Sequence, residues 1–524
     1  VALRGDPLLS VQDTYDLYNA ILPEITVAEV NRAIVDWYHG RGTMLMVTAQ
    51  DAVSDVPADA ELKDLWQNWK PSAALSAYSD GDLARPLYEA PAGAVPSPVV
   101  REETVSKNGI VQWTLSNGAK VLAYPTDYKA DEIQFMAFSR GGLSLVSDAD
   151  YPSAAISAGY AEMSGLNGFS MTDLGKKLAG KTVSVSPWVS DTDEGLSGSS
   201  SVADLETLLQ LVNLEFTRAS FSDEAFLALK AQYETVAAAR LNNPGDQFTN
   251  LKSALVYGTD SIRHAPLTKE FISLMDADRS EAAFRSRFAN AGDFTFVFVG
   301  NLDMAVLKGY VETYLSVLPG TPVREEAKAL SPPFPAGIAS RTLEMGIDPK
   351  SRVFFAFGKR VEFSAREYEL FDAMCSLLDI RLREVIREDM SGSYGVRVNG
   401  NLEQRPERKA EIMIEFGCEP GREDALSTAV LEQIKWLQSA PVPESYIVKL
   451  RENFRRSSEE GLKKNGFWLY SIVNAIERGR PLDSITDIES VAAEITGESM
   501  QAMARKYLDT GNYVKAWLLP EERK

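Results

Sequence analysis

A chain of 524 residues, 45% of them hydrophobic, is long enough to form about two to four domains with separate buried cores. Its net charge of −20 argues against nucleic acid as a partner, because binding to a phosphate backbone depends on clustered Lys and Arg. No stretch approaches the roughly 18 consecutive apolar residues of a membrane helix, so the sequence predicts a soluble protein with no membrane span.

A module of one amphipathic helix followed by a β-rich run occurs three times along the chain. The copies begin near Glu24, Asp278 and Glu494, and in each the helical apolar spacing leads through a polar turn into the β-rich run. The second and third copies each close a unit of roughly 200 residues, whereas only about 50 residues precede the end of the first. We therefore expect residues 1–51 to be the end of a domain whose front is missing; the alternative is a short independent N-terminal lobe.

Two Pro-rich stretches divide the rest of the chain. Residues 52–106 are predicted to connect two halves, and residues 321–340 are predicted to connect two domains. Between them, Asn117-Gly118 flanked by apolar runs predicts a β-hairpin with a type I′ turn. Residues 107–320 and 341–524 also share an order of helices, so we predict an α+β protein with two similar, duplicated, hairpin-led α/β-sandwich domains.

One long helix is predicted in the second of these domains. Ser364 and Glu367 form a capping box, and a stripe of apolar residues with helical spacing follows: Tyr368, Phe371, Cys375, Leu378, Leu382 and Val385. Arg387 falls at the end of the helix, and Tyr394 lies where the next strand starts. A guanidinium and a phenolic hydroxyl in one cavity could hold a peptide carbonyl as it gains negative charge. On these residues alone, a surface Arg and a half-buried strand Tyr are the more ordinary interpretation.

The sequence predicts no metal site and no catalytic residue in this chain. His39 and His264 are far apart, and neither has a second His or a Cys at metal-ligand spacing. Cys375 and Cys418 are too few for a disulfide framework, and the position of Cys375 on the apolar stripe predicts a buried thiol. The G-x-S-x-G elbow of serine hydrolases is also absent.

Three stretches of the chain form a recognisable set: T-L-S-N-G-A-K-V-L from Thr114, D-F-T-F-V-F-V-G-N-L-D from Asp293 and R-E-D-M-S-G-S-Y-G-V from Arg387. Together they resemble the C-terminal half of the pitrilysin and insulin-degrading-enzyme family of zinc endopeptidases. The resemblance implies that residues 1–51 end the family's second domain, and that 107–320 and 341–524 are its third and fourth. K-K-N-G-F-W-L-Y from Lys463 resembles bacterial, periplasmic-type members, which implies a periplasmic location.

In that family an H-x-x-E-H helix of the first domain binds zinc, so the resemblance implies a zinc-bearing N-terminal half as partner, on the same or another polypeptide. The equivalent helix of the third domain would begin near Pro152 and has no His. Its residues Ala154, Ala155, Ile156 and Ala158 suit packing, and Glu162 is expected to be solvated.

The resemblance also assigns substrate binding to Arg387 and Tyr394, which match an Arg and a Tyr of the family's fourth domain. We therefore interpret the chain as the non-catalytic half of a zinc metalloendopeptidase that degrades peptides in a closed chamber. By itself it is expected to be inactive. The alternative is a catalytically inert scaffold or peptide-binding subunit of the same fold.

Overall fold

The computed structural model describes residues 9–38, 44–48, 56–68, 83–91, 93–390 and 393–521. It divides into two compact units, Val1–Ser79 and Asp80–Lys524. The helices described in the first unit are α1 (Val11–Ile21), α2 (Val27–Tyr38) and α3 (Asp59–Asn68).

The first helix-then-strand module is only partly confirmed. The helix α2 forms as predicted, but residues 44–48 adopt no strand. A strand needs a neighbour for its backbone hydrogen bonds, and none of the described residues pairs with this run. Met44 and Met46 are accordingly exposed.

The second unit contains two β-sheets. Their strands are β1 (Arg101–Thr104), β2 (Val111–Thr114), β3 (Lys120–Pro125), β4 (Ile133–Arg140), β5 (Val183–Val189), β6 (Asp193–Ser200), β7 (Thr295–Gly300), β8 (Ile338–Glu344), β9 (Ser351–Arg360), β10 (Ser393–Glu403), β11 (Lys409–Cys418) and β12 (Tyr513–Leu519). One sheet has the order β1-β2-β3-β7-β4-β6-β5, and the other has the order β10-β11-β9-β12-β8.

Five strands follow the same path in both sheets. The series β3-β7-β4-β6-β5 corresponds to β8-β12-β9-β11-β10. In each series the first two strands are parallel and every later neighbour is antiparallel. This shared topology confirms the predicted pair of similar α+β domains. Among the described residues only the first is led by a hairpin as predicted, because β1 and β2 extend the first sheet and have no counterpart in the second, where β8 pairs with β12.

The helices of the second unit surround these sheets. They are α4 (Tyr151–Ala154), α5 (Ser157–Ser164), α6 (Met171–Lys177), α7 (Leu205–Thr217), α8 (Asp223–Leu241), α9 (Pro244–Tyr257), α10 (Lys269–Ser273), α11 (Ala277–Arg287), α12 (Met304–Tyr310), α13 (Glu367–Leu382), α14 (Glu423–Ser439), α15 (Glu444–Gly461), α16 (Asn465–Glu477), α17 (Ile488–Glu494) and α18 (Gly497–Tyr507). Across the described ranges, no helix combines the length and apolarity needed to cross a lipid bilayer.

Each sheet packs one face against helices of its own domain. Phe135 and Phe298 of the first sheet are buried against α7 residues such as Leu208. In the second sheet Phe355 of β9 is buried with Phe371 of α13. The two helix–sheet layers have separate apolar cores, as expected from alternation of buried residues along the strands.

On the opposite faces the two domains exchange helices. The helix α16 follows α15 of the second domain but buries Trp468 and Ile472 against the first sheet. The helix α9 follows α8 of the first domain but buries Phe248 and Val256 against the second sheet. Each domain therefore completes a core of the other.

The predicted hairpin is present, but its turn differs from the prediction. Gly118 donates its N–H to the Leu115 carbonyl at 3.1 Å and has a φ of 94°. A type I′ turn needs positive φ at both central residues, and Asn117 has a negative φ. The Asn117 side chain instead donates to the carbonyls of Leu315 and Leu318, at 2.9 and 3.1 Å. These tertiary hydrogen bonds stabilise a turn in which Gly118 alone is left-handed.

The predicted connectors contain regular structure at their ends. The helix α3 lies within residues 52–106, and β1, in the same range, pairs with β2. Residues 321–337 adopt neither helix nor strand, and β8 begins at Ile338. A Pro-rich composition does not reveal that the end of such a stretch has a partner strand.

Candidate functional site

The helix α13 carries the predicted apolar stripe. Five of its six residues are buried in the core below the second sheet: Tyr368, Phe371, Cys375, Leu378 and Leu382. The sixth, Val385, is half-buried just beyond the end of the helix. The helix begins at Glu367, whose carboxylate accepts the Ser364 N–H at 2.9 Å. Only half of the predicted capping box forms, because the Glu367 N–H donates to the backbone carbonyl of Ser364 and not to its hydroxyl.

The chain leaves α13 through a π-helical turn, Arg383–Asp389. The Met390 N–H donates to the Val385 carbonyl, five residues earlier, at 3.0 Å. Such widened turns are frequent at functional sites because they displace side chains from the regular helical positions. Ile386 is fully buried, whereas the next side chain, Arg387, is exposed.

Side chains on either side of the π-helical turn hold it in place. The Asp379 carboxylate accepts the backbone N–H of Val398 in β10 at 3.2 Å, and it also pairs with Arg383. Arg422 donates to the Met390 carbonyl at 2.8 Å. The turn is therefore tied to both β10 and the start of α14.

The strand β10 begins with a bulge at the predicted tyrosine. Ser393 pairs with Cys418 and Val396 pairs with Phe416, so Tyr394 and Gly395 together oppose a single residue of β11. A bulge of this kind redirects a side chain at a sheet edge. The side chain of Tyr394 lies outside the described residues, so its approach to Arg387 stays a prediction.

A cavity of about 550 Å³ lies directly beyond this bulge, and we name it the α9 cavity. It is lined by α9 on one side and by β9, β10 and β11 on the other, and Gly395 is one of its lining residues. Phe354, Met413 and Val256 supply apolar surface. The volume lies within the range of about 300–1,000 Å³ that is typical of ligand pockets.

The charges that line the α9 cavity are predominantly positive. Lys252 and Arg352 share the Glu415 carboxylate, at 2.8 and 3.2 Å. Arg397 lies directly opposite Glu415 in the strand register and is exposed. Among the described residues, no carboxylate lies within ion-pair distance of Arg397. The lining thus holds three cationic side chains and one carboxylate.

The sequence analysis did not identify the α9 cavity. A signal was present in β11, where buried residues alternate with less buried residues that include Glu411, Met413 and Glu415. This alternation predicts that one face of the strand is polar. It does not reveal that a helix from the other domain covers that face, because the contact joins residues more than 150 positions apart.

The region equivalent to the zinc-binding helix is broken in two. The helices α4 and α5 are separated at Ala155 and Ile156. Ala154 and Ile156 are buried as predicted, but Ala155 is exposed and Ala158 only half-buried, because the break turns that side of the chain outward.

Two carboxylates approach each other beside α5. Glu162 is exposed and accepts a hydrogen bond from the Ser186 hydroxyl at 2.9 Å. Glu215 of α7 is only 8% exposed, and burial, together with the charge of Glu162, raises its pKa to about 8. As possible metal ligands, the pair supplies two carboxylates but no His side chain.

No cluster of three or more His, Cys, Asp or Glu side chains suited to a metal ion is found within the described part of the chain. The His264 ring stacks on Tyr257 with centroids 4.3 Å apart, and burial lowers its pKa. His39 lies outside the described residues.

Both cysteines are buried free thiols in the structure. Burial raises the pKa of Cys375 well above its usual range and that of Cys418 to about 12. A thiol is nucleophilic as its thiolate, so these two side chains act as core residues. The prediction of a buried Cys375 is confirmed.

Comparison with known proteins places this fold among peptidase relatives. Residues 282–454 match the family described as the peptidase M16 inactive domain. The zinc protease PQQL-like of Arabidopsis thaliana is 23% identical over 491 residues, covering 91% of this chain and 48% of that protein. The probable zinc protease PqqL of Haemophilus influenzae is 23% identical over 424 residues, covering 80% of this chain and 44% of that protein.

A solved structure shows the same fold over nearly the entire chain. The periplasmic protease PqqL from Escherichia coli superposes with a TM-score of 0.73 at 23% identity, covering 99% of this chain and 57% of that one. The chain thus spans about half the length of the relatives it matches. Together, these matches identify residues 282–454 as a peptidase M16 inactive domain, in a chain homologous to the PqqL-like zinc proteases.

Proposed function

We propose that this chain is the non-catalytic half of a zinc-dependent metalloendopeptidase that degrades peptides in a closed chamber. The observation that carries the proposal is the match of 91% of the chain to about half of a protein named a zinc protease. In this proposal residues 1–51 end a second domain, 52–106 connect the halves, and 107–320 and 341–524 are the third and fourth domains, joined by residues 321–340.

The zinc ion belongs, in this proposal, to an N-terminal half on the same or a separate polypeptide. When bound there, it would polarise the scissile carbonyl and supply a hydroxide nucleophile. The fourth domain would contribute Arg387 and Tyr394 as substrate-binding residues. Support comes from the exposed position of Arg387 on an anchored π-helical turn and from the bulge that carries Tyr394.

The chemical role of these two residues would be electrostatic. A peptide carbonyl gains negative charge when hydroxide adds to it, and donors placed beforehand at that oxygen lower the barrier. The Arg387 guanidinium offers several N–H donors, and the Tyr394 hydroxyl offers one. Each would bind the substrate backbone without forming a covalent bond to it.

The test is cleavage of a quenched fluorescent peptide by the chain alone, and by the chain together with the zinc-bearing half encoded upstream. Activity in the combination only, abolished by a zinc chelator, is the expected result. In that combination, Tyr394→Phe should lower turnover by roughly 10- to 1,000-fold, because it removes one donor to the oxyanion. Tyr470→Phe is the matched control, since Tyr470 is 59% exposed on α16.

Each other outcome rejects a specific part of the proposal. Chelator-resistant cleavage by the chain alone would reveal a catalytic centre in these residues. Turnover unchanged by Tyr394→Phe would remove the assigned role of that hydroxyl. Inactivity in every mixture would favour the alternative, an inert scaffold or peptide-binding subunit of the same fold.

We also propose a periplasmic location for the whole protein, because the superposed Escherichia coli relative is named a periplasmic protease. Fractionation of the native host checks this point independently of activity. Recovery of the protein with cytoplasmic markers would contradict it.

A further inference from the structure

We infer that the α9 cavity binds a carboxylate group of the peptide substrate, an inference that rests on the proposed peptidase function and names a substrate class for it. The cavity adjoins the predicted substrate-binding pair, since Gly395 lines it and directly follows Tyr394. A peptide held at Arg387 and Tyr394 would therefore have this cavity beside it.

Charge is the first argument for a carboxylate. The chain as a whole carries a net charge of −20, yet the cavity lining holds Lys252, Arg352 and Arg397 against the single carboxylate of Glu415. Two of these cations are already neutralised in part, because Lys252 and Arg352 share Glu415. The guanidinium of Arg397 has no such partner among the described residues, so it is the group available to a ligand.

The rigidity of the site is the second argument. Lys252 is 19% exposed and lies 5.3 and 5.1 Å from the ring centroids of Phe248 and Phe354. Its ammonium is therefore held by two aromatic rings as well as by Glu415. Arg397 projects from a paired strand, so its backbone is fixed, while its exposed side chain has no carboxylate partner among the described residues and can turn towards a ligand.

The apolar surface indicates what accompanies the carboxylate. Phe354, Val256 and Met413 line the same cavity, and Phe354 and Val256 are nearly fully buried. This combination of apolar surface and the guanidinium of Arg397 suits a peptide segment that carries a carboxylate beside apolar groups. The carboxylate can be the C-terminus of the peptide or an Asp or Glu side chain, because both present the same two oxygens.

The strand geometry predicts where that carboxylate lies along the substrate. Because Tyr394 and Gly395 together oppose one residue of β11, Arg397 lies only two ladder positions further along, and at about 3.3 Å per residue the separation is about 7 Å. An extended peptide advances by a similar amount per residue. A carboxylate about two residues from the bond held at Tyr394 would therefore meet Arg397.

Direct binding to the 524-residue chain tests the inference without the zinc-bearing half. Three hexapeptides with an N-terminal dansyl label, which carries no carboxylate, are compared by fluorescence anisotropy: one with a free C-terminal carboxylate, the same peptide amidated, and an amidated peptide with an internal Glu. Arg397→Gln should weaken binding of a carboxylate-bearing peptide by about 10- to 100-fold and leave binding of the neutral amidated peptide unchanged. Comparison of the two carboxylate peptides distinguishes the C-terminus from a side chain.

Two further variants keep the test decisive. Arg341→Gln changes an exposed Arg on β8, at the opposite edge of the same sheet, and should leave all three affinities unchanged. Glu415→Gln removes the carboxylate that competes for Lys252 and Arg352, so it should tighten binding of carboxylate peptides several-fold. Either of two results would overturn the inference. One is equal affinity for the amidated peptide and for the peptide with a free C-terminus; the other is an affinity of Arg397→Gln for carboxylate peptides that equals that of the unmodified chain.

The failure of this inference can be told apart from failure of the proposed function. Zinc-dependent turnover in the two-half mixture, without a carboxylate preference in the binding assay, would reject only the role of the α9 cavity. Carboxylate binding that depends on Arg397, with no turnover in the mixture, would reject only the peptidase proposal.

Discussion

Replacement of Glu215 by Gln should make the protein more stable at alkaline pH. Glu215 lies on α7 beside the first sheet, and its side chain is 8% exposed. The described residues give its carboxylate no hydrogen bond or ion pair. The glutamine variant retains the size of the side chain but cannot ionise, so it isolates the effect of burying a charge.

The magnitude follows from the pKa of this carboxyl group. Burial and the charge of Glu162 raise its pKa from 4.5 to about 8, so the folded protein retains a proton that the unfolded chain loses. The stability that this proton provides is fully present below pH 4.5 and is lost as pH rises towards 8. Because one pKa unit corresponds to about 1.4 kcal/mol, this loss reaches about 5 kcal/mol above pH 8.

The assay is urea denaturation at a series of pH values from about 5 to 8.5, followed by tryptophan fluorescence. Trp113 is a suitable probe because it is 1% exposed in the same core as α7. The free energy of unfolding of Glu215→Gln, relative to the unmodified chain, should increase steadily with pH. Glu234→Gln alters an exposed carboxylate on α8 and should leave the pH dependence unchanged.

A pH-independent difference between Glu215→Gln and the unmodified chain would refute this reasoning. It would mean that Glu215 ionises at its ordinary pKa, and that water or a rearranged partner solvates the carboxylate. Glu162→Gln provides a second check, because removing that charge should reduce the pH dependence without abolishing it.

Two further substitutions test how the two domains are held together and how the hairpin is stabilised. Trp468→Ala should destabilise the protein by about 3–5 kcal/mol, because Trp468 of α16 is 3% exposed and packs against the first sheet. The control Tyr470→Ala changes the exposed side of α16 and should destabilise the protein far less. Similar urea midpoints for the two variants would contradict the helix exchange. Asn117→Ala should lower the free energy of unfolding, measured by urea denaturation, by about 1–3 kcal/mol, because two backbone carbonyls lose their donor. A shift smaller than the error of the urea midpoint would mean that water replaces those hydrogen bonds.

Much of the fold could be predicted because its signals are local. The apolar spacing of Phe371, Leu378 and Leu382 specifies one buried face of a helix, whatever packs against it. Repetition of the helix-then-strand order likewise predicted two similar domains, and the equivalent strand orders confirm them. For the site, the sequence predicted the helix end at Arg387 and the strand at Tyr394, but not the π-helical turn that contains Arg387 or the bulge that contains Tyr394.

Other features depended on contacts between distant parts of the chain. The apolar face of α16 is evident in the sequence. Because the hydrophobic effect is non-directional, this face does not specify which surface will bury it, and the sheet of the other domain could not be predicted as its partner. The turn at Asn117 is governed by carbonyls about 200 positions later, which override the local preference for a type I′ turn.

The sequence by itself thus determined the periodic elements, their order and the duplication, since each follows from backbone geometry and nearby side chains. The tertiary structure alone decided the exchange of α9 and α16, and with it the α9 cavity. Lys252 and Arg397 lie on elements from different domains and meet only because α9 crosses to the second sheet. Such a meeting depends on packing between surfaces, and no local pattern in either segment encodes it.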